Sequence, residues 1–164
     1  METIRRKAMR AILFDDARAE ILLIHALVPD TGEKLWFTPG GGLEDGESPL
    51  DCLRRELAEE VGYLGLDSLP PRVWVRSEKF VFMGRHYHQD EDYFYVPVRR
   101  FETVERRLEA HESETFLGLR WWPLAEVLTS SETFVPGDLG RLLAAVQRAA
   151  SSDTLPSEPL RVGR

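Results

Sequence analysis

A glycine-rich turn that leads directly into an acidic helix constrains this 164-residue chain more than any other feature. The run from Gly41 to Tyr63 reads GGLEDGESPLDCLRRELAEEVGY. Its glycines permit backbone conformations that other residues avoid. Ser48 can cap a helix, and Pro49 suits the first helical turn because its missing N–H would be unpaired there anyway. The segment therefore predicts a tight loop followed by a helix that ends near Gly62.

The predicted helix carries an apolar stripe and, beside it, a cluster of acids. Apolar residues recur at helical spacing along one arc: Leu50, Leu53, Leu57 and Val61. Glu56, Glu59 and Glu60 are spaced at i, i+3 and i+4, so their like charges repel each other unless a cation binds. Oxygen ligands suit Mg²⁺ or Mn²⁺ better than zinc. An isolated cluster of this kind usually marks a solvated face, but the glycine-rich loop just upstream favours a metal site.

The same residues match the Nudix box, in which Gly, Glu, Arg-Glu-aliphatic, Glu-Glu and Gly-aliphatic recur at fixed spacing. The matching positions are Gly41, Glu47, Arg55, Glu56, Leu57, Glu59, Glu60 and Gly62. The chain therefore resembles the Nudix hydrolase family. One position departs from the pattern, because Tyr63 stands where an aliphatic residue is expected. We expect Tyr63 to affect packing at the end of the helix rather than the ligands.

The resemblance implies a metal-dependent hydrolase that cleaves the pyrophosphate bond of a nucleoside diphosphate linked to another group. The groups expected to hold Mg²⁺ or Mn²⁺ are the carboxylates of Glu56, Glu59 and Glu60 and the carbonyl of Gly41. Arg55 is expected to pair with Glu47 and to orient these carboxylates, although an exposed salt bridge of little consequence is the alternative. A small nucleotide or nucleoside diphosphate derivative is the expected partner.

The general base is left open by the sequence. Family members carry it either within the box or on a loop before the last strand. Here that loop contains Glu112 and Glu114, and either carboxylate is a candidate for the catalytic base. The alternative is that both are solvated loop residues.

Composition excludes several classes of protein. The net charge of −7 argues against stable nucleic-acid binding, because phosphate backbones attract basic surfaces. Cys52 is the only cysteine, so no internal disulfide can form. No apolar run approaches the ~18 residues of a membrane helix, and the first residues show no cleavable signal. We therefore expect a cytoplasmic monomer or homodimer that does not associate with membranes.

The order of predicted elements is typical of an α/β protein. Apolar runs at 8–14 and 20–28 predict an antiparallel hairpin. A short strand at 35–38 leads into the glycine loop. A second hairpin is predicted from the apolar runs at 80–83 and 93–98, with the polar residues between them as its connection.

The remaining elements complete a sandwich. A strand is predicted at 116–122, followed by helices at 123–128 and 139–150. This order is similar to the Nudix fold, an α/β/α sandwich with a mixed β-sheet. The sequence predicts one domain over residues 1–150 and a flexible C-terminal tail over 151–164.

Other polar and aromatic residues have two interpretations each. His86 and His88 project to one side of an extended segment, but no third ligand for a metal is evident. The basic residues Arg76, Lys79 and Arg85 either meet phosphates or are solvated. Aromatic residues that either stack on a base or belong to the core are Trp36, Trp74, Phe80 and Tyr93.

Three functions remain open, with a pyrophosphohydrolase favoured. A non-catalytic nucleotide-sensing Nudix domain is the alternative, and the intact carboxylates argue against it. A related prenyl diphosphate isomerase needs a catalytic cysteine elsewhere, whereas Cys52 lies on the box helix. The residues past the box, including Glu78 and Lys79, fit neither the ADP-ribose nor the diadenosine polyphosphate subfamily. We expect a nucleoside triphosphate as the substrate, because a short single domain of this kind lacks an added recognition module.

Overall fold

The computed structural model of the protein describes residues 2–104 and 115–163. Its strands are β1 (Thr3–Asp15), β2 (Glu20–Leu27), β3 (Lys34–Phe37), β4 (Gly40–Gly42), β5 (Arg72–Phe82), β6 (Arg85–Pro97), β7 (Phe116–Pro123), β8 (Phe134–Val135) and β9 (Leu160–Arg161). Its helices are α1 (Pro49–Glu60), α2 (Leu124–Thr129) and α3 (Leu139–Ser151).

The described strands form one mixed sheet. Its order is β8-β3-β2-β1-β6-β5-β9, with β4 paired to β1 and β7 paired to β2. The central strands β1 and β6 are parallel, whereas β1 is antiparallel to β2 and β5 is antiparallel to β6. The predicted α/β fold with a mixed sheet is confirmed, as are the first hairpin and the strand that enters the glycine loop.

Alternation along β1 places helices on both faces of the sheet. Met9, Ala11 and Leu13 pack in the same buried cluster as the apolar face of α1. Ile12 and Phe14 point the other way and pack in the cluster that contains the buried residues of α3. Because successive side chains of a strand leave on opposite faces, one apolar strand supplies both cores.

The predicted connection of the second hairpin was wrong. Residues 85–92 belong to β6, and the hairpin turns instead at Met83 and Gly84. This polar half of β6 pairs with β1 on one side and with β5 on the other. The ladder hydrogen bonds use backbone groups, so the strand tolerates polar side chains that find partners of their own.

The C-terminal segment differs from the sequence expectation of a loose tail. Leu160 and Arg161 form β9, which pairs in parallel with β5. Val162 is only 7% exposed and packs in the core beneath α3. An apolar side chain near the end of the chain therefore anchors part of the segment to the sheet edge.

None of the helices in the described residues is long and apolar enough to cross a membrane.

Candidate active site

Helix α1 starts as its sequence predicts. The Oγ atom of Ser48 accepts a hydrogen bond from the backbone N–H of Asp51 at 3.1 Å, and Pro49 opens the first turn. The buried face consists of Cys52, Leu53 and Leu57, which pack against β1. The apolar stripe thus fixes the rotation of the helix, and the glutamates are carried on the side that faces the glycine loop.

The glycine loop is held against β1 by strand pairing. In β4, Gly40 lies opposite Arg10 and Gly41 lies opposite Met9. Gly40 has a φ of +141°, and a Cβ there would lie 2.8 Å from the Cα of Arg10. A Cβ on Gly41 would lie 2.6 Å from the carboxyl carbon of Glu56. Glycine is therefore required at position 40 for the loop to lie against β1, and glycine at position 41 leaves the space that the Glu56 carboxylate occupies.

Two of the box glutamates contact this loop directly. Glu60 Oε1 accepts a hydrogen bond from the backbone N–H of Gly40 at 2.7 Å. Glu56 Oε1 accepts from Arg55 Nη1 at 2.8 Å while it lies against Gly41. Burial raises the pKa of Glu56 above its ordinary value, against the opposing effect of Arg55. A carboxylate in such a place is stabilised by any cation that binds beside it.

Arg55 links the loop, the helix and Glu47, as the resemblance to the family implied. Its Nε and Nη2 atoms donate to both oxygens of Glu47 at 2.8 and 2.9 Å, and Nη2 also donates to the Gly42 carbonyl at 3.0 Å. These bonds lower the pKa of Glu47 to about 2. The side chains are 25% and 13% exposed, so the alternative of an exposed salt bridge is wrong.

The donor set near the loop fits a hard divalent ion. Within residues 2–104 and 115–163, no three acidic, histidine or cysteine side chains converge into a ready-made metal cage. Mg²⁺, however, usually keeps several waters and binds through one or two carboxylates together with substrate phosphates. Oxygen donors on Glu56 and Glu60, with Glu59 half-buried beside them, suit that kind of partly completed site.

Cys52 is a packed thiol. Its side chain is fully buried, and its Sγ atom lies 3.6 Å from the carbonyl oxygens of both Gly41 and Gly42. Burial raises the pKa of the thiol to about 12, so the reactive thiolate is scarce at neutral pH. This placement argues against the isomerase alternative.

The remaining acidic and basic site candidates from the sequence have different outcomes. Glu112 and Glu114 lie outside the described residues, so both stay predictions. Both interpretations of Arg76, contact with phosphate and a solvated side chain, were wrong, because it is 6% exposed and pairs with Glu78 and with Glu91 at 2.6 Å. The guanidinium of Arg76 is therefore bound by carboxylates of the protein itself.

The histidines and aromatic residues show no common site. His88 lies 2.9 Å from the hydroxyl of Ser77, whereas His86 is exposed. Trp74 and Tyr93 are core residues with rings 5.5 Å apart. Other aromatic candidates are also stacked within the protein: Trp36 on His25, and Phe80 on Tyr87.

Two basic residues beside the loop were missed by the sequence reasoning. Arg10 Nη1 donates to the Gly40 carbonyl at 3.1 Å. The Nη2 atom of Arg6 lies 2.7 Å from the position that a Cβ of Gly42 would occupy. One sequence signal could have identified them. Arg6 and Arg10 are four residues apart, so they lie on one face of a strand, and the rest of that strand is strongly apolar.

Fold and site together define an α/β/α sandwich with an acidic helix docked on a glycine loop. The NUDIX domain family matches this sequence over residues 4–146, and the chain belongs to that family.

Several proteins with the name RNA pyrophosphohydrolase are similar to this chain. That of Acidiphilium cryptum is 29% identical over 161 residues, which cover 90% of this chain and 93% of that protein. Those of Psychrobacter and of Helicobacter pylori strain P12 are 29% and 31% identical over 119 and 102 residues. These matches cover 59% and 58% of this chain and span 63% of each of those two proteins, less than two thirds of their length.

Solved structures with the same fold are more distant in sequence. The solution structure of the Escherichia coli ORF135 protein has a TM-score of 0.58 at 24% identity, and covers 95% of this chain and 96% of that one. The MutT protein of Bacillus halodurans has a TM-score of 0.58 at 21% identity, over 96% of this chain and 88% of that one. At these identities the likeness concerns the fold.

Proposed function

We propose that this protein hydrolyses the pyrophosphate bond of a nucleoside diphosphate linked to another group. The observation that carries the proposal is the contact of the acidic helix with the glycine loop. Glu60 accepts from the Gly40 N–H, and Glu56 lies against Gly41 in space that a side chain there would fill. Family membership and the names of the similar proteins support cleavage of a pyrophosphate bond.

The charged side chains around the loop have separable roles in this proposal. A divalent Mg²⁺ or Mn²⁺ ion, held by Glu56, Glu59, Glu60 and the Gly41 carbonyl, would neutralise charge that develops on the phosphates. Arg55 holds Glu56 and the Gly42 carbonyl in place.

The attacking water needs a base to take its proton. We propose Glu112 or Glu114 for this role, with a glutamate of the box as the alternative, because a carboxylate within reach of the attacking water can accept its proton. The substitutions Glu112→Gln and Glu114→Gln separate the two, since only loss of the true base lowers turnover at neutral pH and shifts the pH profile.

A nucleoside triphosphate is the favoured substrate. The residues past the box match neither of the two subfamily patterns considered, and the net charge of −7 offers no general attraction for a long polyanion. A second candidate is the triphosphorylated 5′ end of RNA, because the similar proteins are named RNA pyrophosphohydrolases. The chemistry at the phosphates is the same in both cases.

A substrate panel with Mg²⁺ or Mn²⁺ tests the proposal. It contains nucleoside triphosphates, nucleotide sugars, dinucleoside polyphosphates and a short 5′-triphosphorylated RNA, with products separated by ion-exchange chromatography. We expect a nucleoside monophosphate and pyrophosphate from the favoured substrate. Tight nucleotide binding without turnover of any compound would instead support the non-catalytic sensing domain.

A further inference from the structure

A buried ion network crosses three strands beside the glycine loop. Glu91 on β6 lies between Arg10 on β1 and Arg76 on β5, and the three side chains are 4%, 15% and 6% exposed, respectively. Arg10 Nε donates to Glu91 Oε2 at 2.9 Å, and Arg76 Nη1 donates to Oε1 at 2.6 Å. Gln89 and Tyr93 donate to the same two oxygens at 2.9 and 3.2 Å. Each oxygen of this carboxylate therefore has two donors.

Stability alone is a weak reason for such a network. Removing charged groups from water is costly, and well-packed apolar residues often replace a buried ion pair without loss. Burial by itself raises the pKa of Glu91, and the adjacent Arg10 and Arg76 lower it below its ordinary value, so the carboxylate stays charged. A fully partnered, charged cluster does hold its members in one geometry.

Arg10 extends this fixed geometry to the glycine loop. While Nε is bound to Glu91, Nη1 donates to the Gly40 carbonyl at 3.1 Å. On the other side of the same residue, the Gly40 N–H donates to Glu60 at 2.7 Å. The two peptide groups that flank the Gly40 Cα are thus held by Arg10 and by Glu60, at a φ of +141°.

We propose that Arg10, clamped by Glu91, is a positioning residue for the acidic site, acting through Gly40 on the Glu60 carboxylate. This inference rests on the proposed function, since it assumes that Glu60 takes part in hydrolysis. Arginine suits the role because its planar guanidinium donates from Nε and Nη1 at the same time. A lysine has a single ammonium group and cannot reproduce both bonds in this geometry.

The substitution Arg10→Lys tests the inference, with the Gly40 amide followed by NMR. We expect the Gly40 amide resonance to shift and its hydrogen exchange to accelerate roughly tenfold or more as the loop loosens. We expect kcat to fall roughly 10- to 100-fold while KM changes less than about threefold, because positioning rather than binding is lost.

Tyr95→Phe is the matched control for general destabilisation. The Tyr95 side chain is also buried, and its hydroxyl lies 3.5 Å from Asp16, away from the loop. This variant should leave the Gly40 amide and kcat at wild-type values. Equal changes in Tyr95→Phe and Arg10→Lys would overturn the inference, as would unchanged exchange and kcat in Arg10→Lys.

A milder variant keeps the test decisive if Arg10→Lys does not fold. Gln89→Leu removes only the neutral donor that shares Oε2 of Glu91 with Arg10, and we expect a smaller shift of the Gly40 amide. An unmoved Gly40 amide in this variant would overturn the inference. If the wild-type protein hydrolyses none of the substrates, the proposed function is wrong. The NMR measurement on Gly40 then still shows whether Arg10 holds the glycine loop in place.

Discussion

Gly41 shows how one missing side chain shapes the acidic site. A Cβ at this position would overlap with the carboxylate of Glu56. The Glu56 carboxylate lies at the end of a flexible side chain, so it can turn away from an added methyl group at little cost to the fold. The requirement for glycine here concerns the placement of a carboxylate rather than the stability of the chain.

Gly41→Ala is therefore expected to reduce activity much more than stability. We expect kcat to fall about tenfold or more, because small displacements of reacting groups are costly. The free energy of unfolding should change by less than about 1 kcal/mol. Kinetics and urea unfolding measure both effects. Gly42→Ala is the comparison, since its Cβ meets only the tip of Arg6, and an equal loss of activity there would contradict this explanation.

The pair of Glu47 and Arg55 predicts a dependence of stability on pH. The pKa of Glu47 is lowered to about 2 in the folded protein from an ordinary value of 4.5. The pair therefore stabilises the fold above pH ~4.5, and this contribution is lost as the pH falls towards 2. Glu47→Gln should lower the free energy of unfolding at pH 7 by roughly 2 kcal/mol, given 1.36 kcal/mol per unit and some solvent screening.

Unfolding curves for wild type and Glu47→Gln between pH 7 and pH 3 measure this effect. The difference between the two proteins should shrink as the pH falls. A difference that stays constant over this range would show that the lost stability comes from packing rather than from the charge of Glu47.

Sequence distance decided which site residues could be predicted. Arg55 and Glu47 are eight residues apart, and the box spacing together with one helix brings them together. Arg10 and Glu91 are separated by 81 positions and meet only because β1 and β6 pair in parallel at that register. No local pattern in the sequence specifies such a register, so this part of the site needed the structure.

At the scale of elements, helix α1 was predictable because several local signals agree. The cap at Ser48, the proline after it and the apolar stripe all specify the same helix, and the structure has it over Pro49–Glu60. Strand β6 was missed in its first half because its charged residues resemble a loop. Their partners, such as Arg10 and Arg76 for Glu91, lie on neighbouring strands and leave no local trace.

Packing of α1 against the sheet should dominate its contribution to stability. Leu57 is fully buried, and Leu57→Ala should lower the free energy of unfolding by about 2–5 kcal/mol. Leu64 is 67% exposed, and Leu64→Ala should change it by no more than about 0.5 kcal/mol. Urea denaturation of both variants measures the contrast. Similar losses would mean that the helix is not anchored by this face.

At the scale of the whole molecule, the glycine loop gathers charges of both signs. The chain carries a net charge of −7, and Arg6, Arg10 and Arg55 lie around the loop together with the glutamates Glu56 and Glu60. A divalent ion held by these glutamates would supply the positive charge that a compact polyphosphate needs, whereas the acidic remainder of the protein repels an extended polyanion.

This distribution predicts how RNA length affects turnover. We expect kcat/KM for 5′-triphosphorylated RNA to rise less than about threefold as the chain lengthens from two to ten nucleotides, because few further phosphates are bound. Initial rates at 50 and 200 mM salt measure the effect. A rise of tenfold or more that collapses at the higher salt concentration would instead indicate a basic track for RNA.

Glu60→Gln tests most directly whether hydrolysis takes place at the acidic face of α1. The new amide oxygen can still accept from the Gly40 N–H, so the fold and the melting temperature should be retained. Turnover of the best substrate with Mg²⁺ or Mn²⁺ should drop by roughly a thousandfold, since one carboxylate ligand of the ion would be lost. Glu126→Gln on α2 is the matched control and should behave as wild type. Near-wild-type turnover in folded Glu60→Gln would contradict the account.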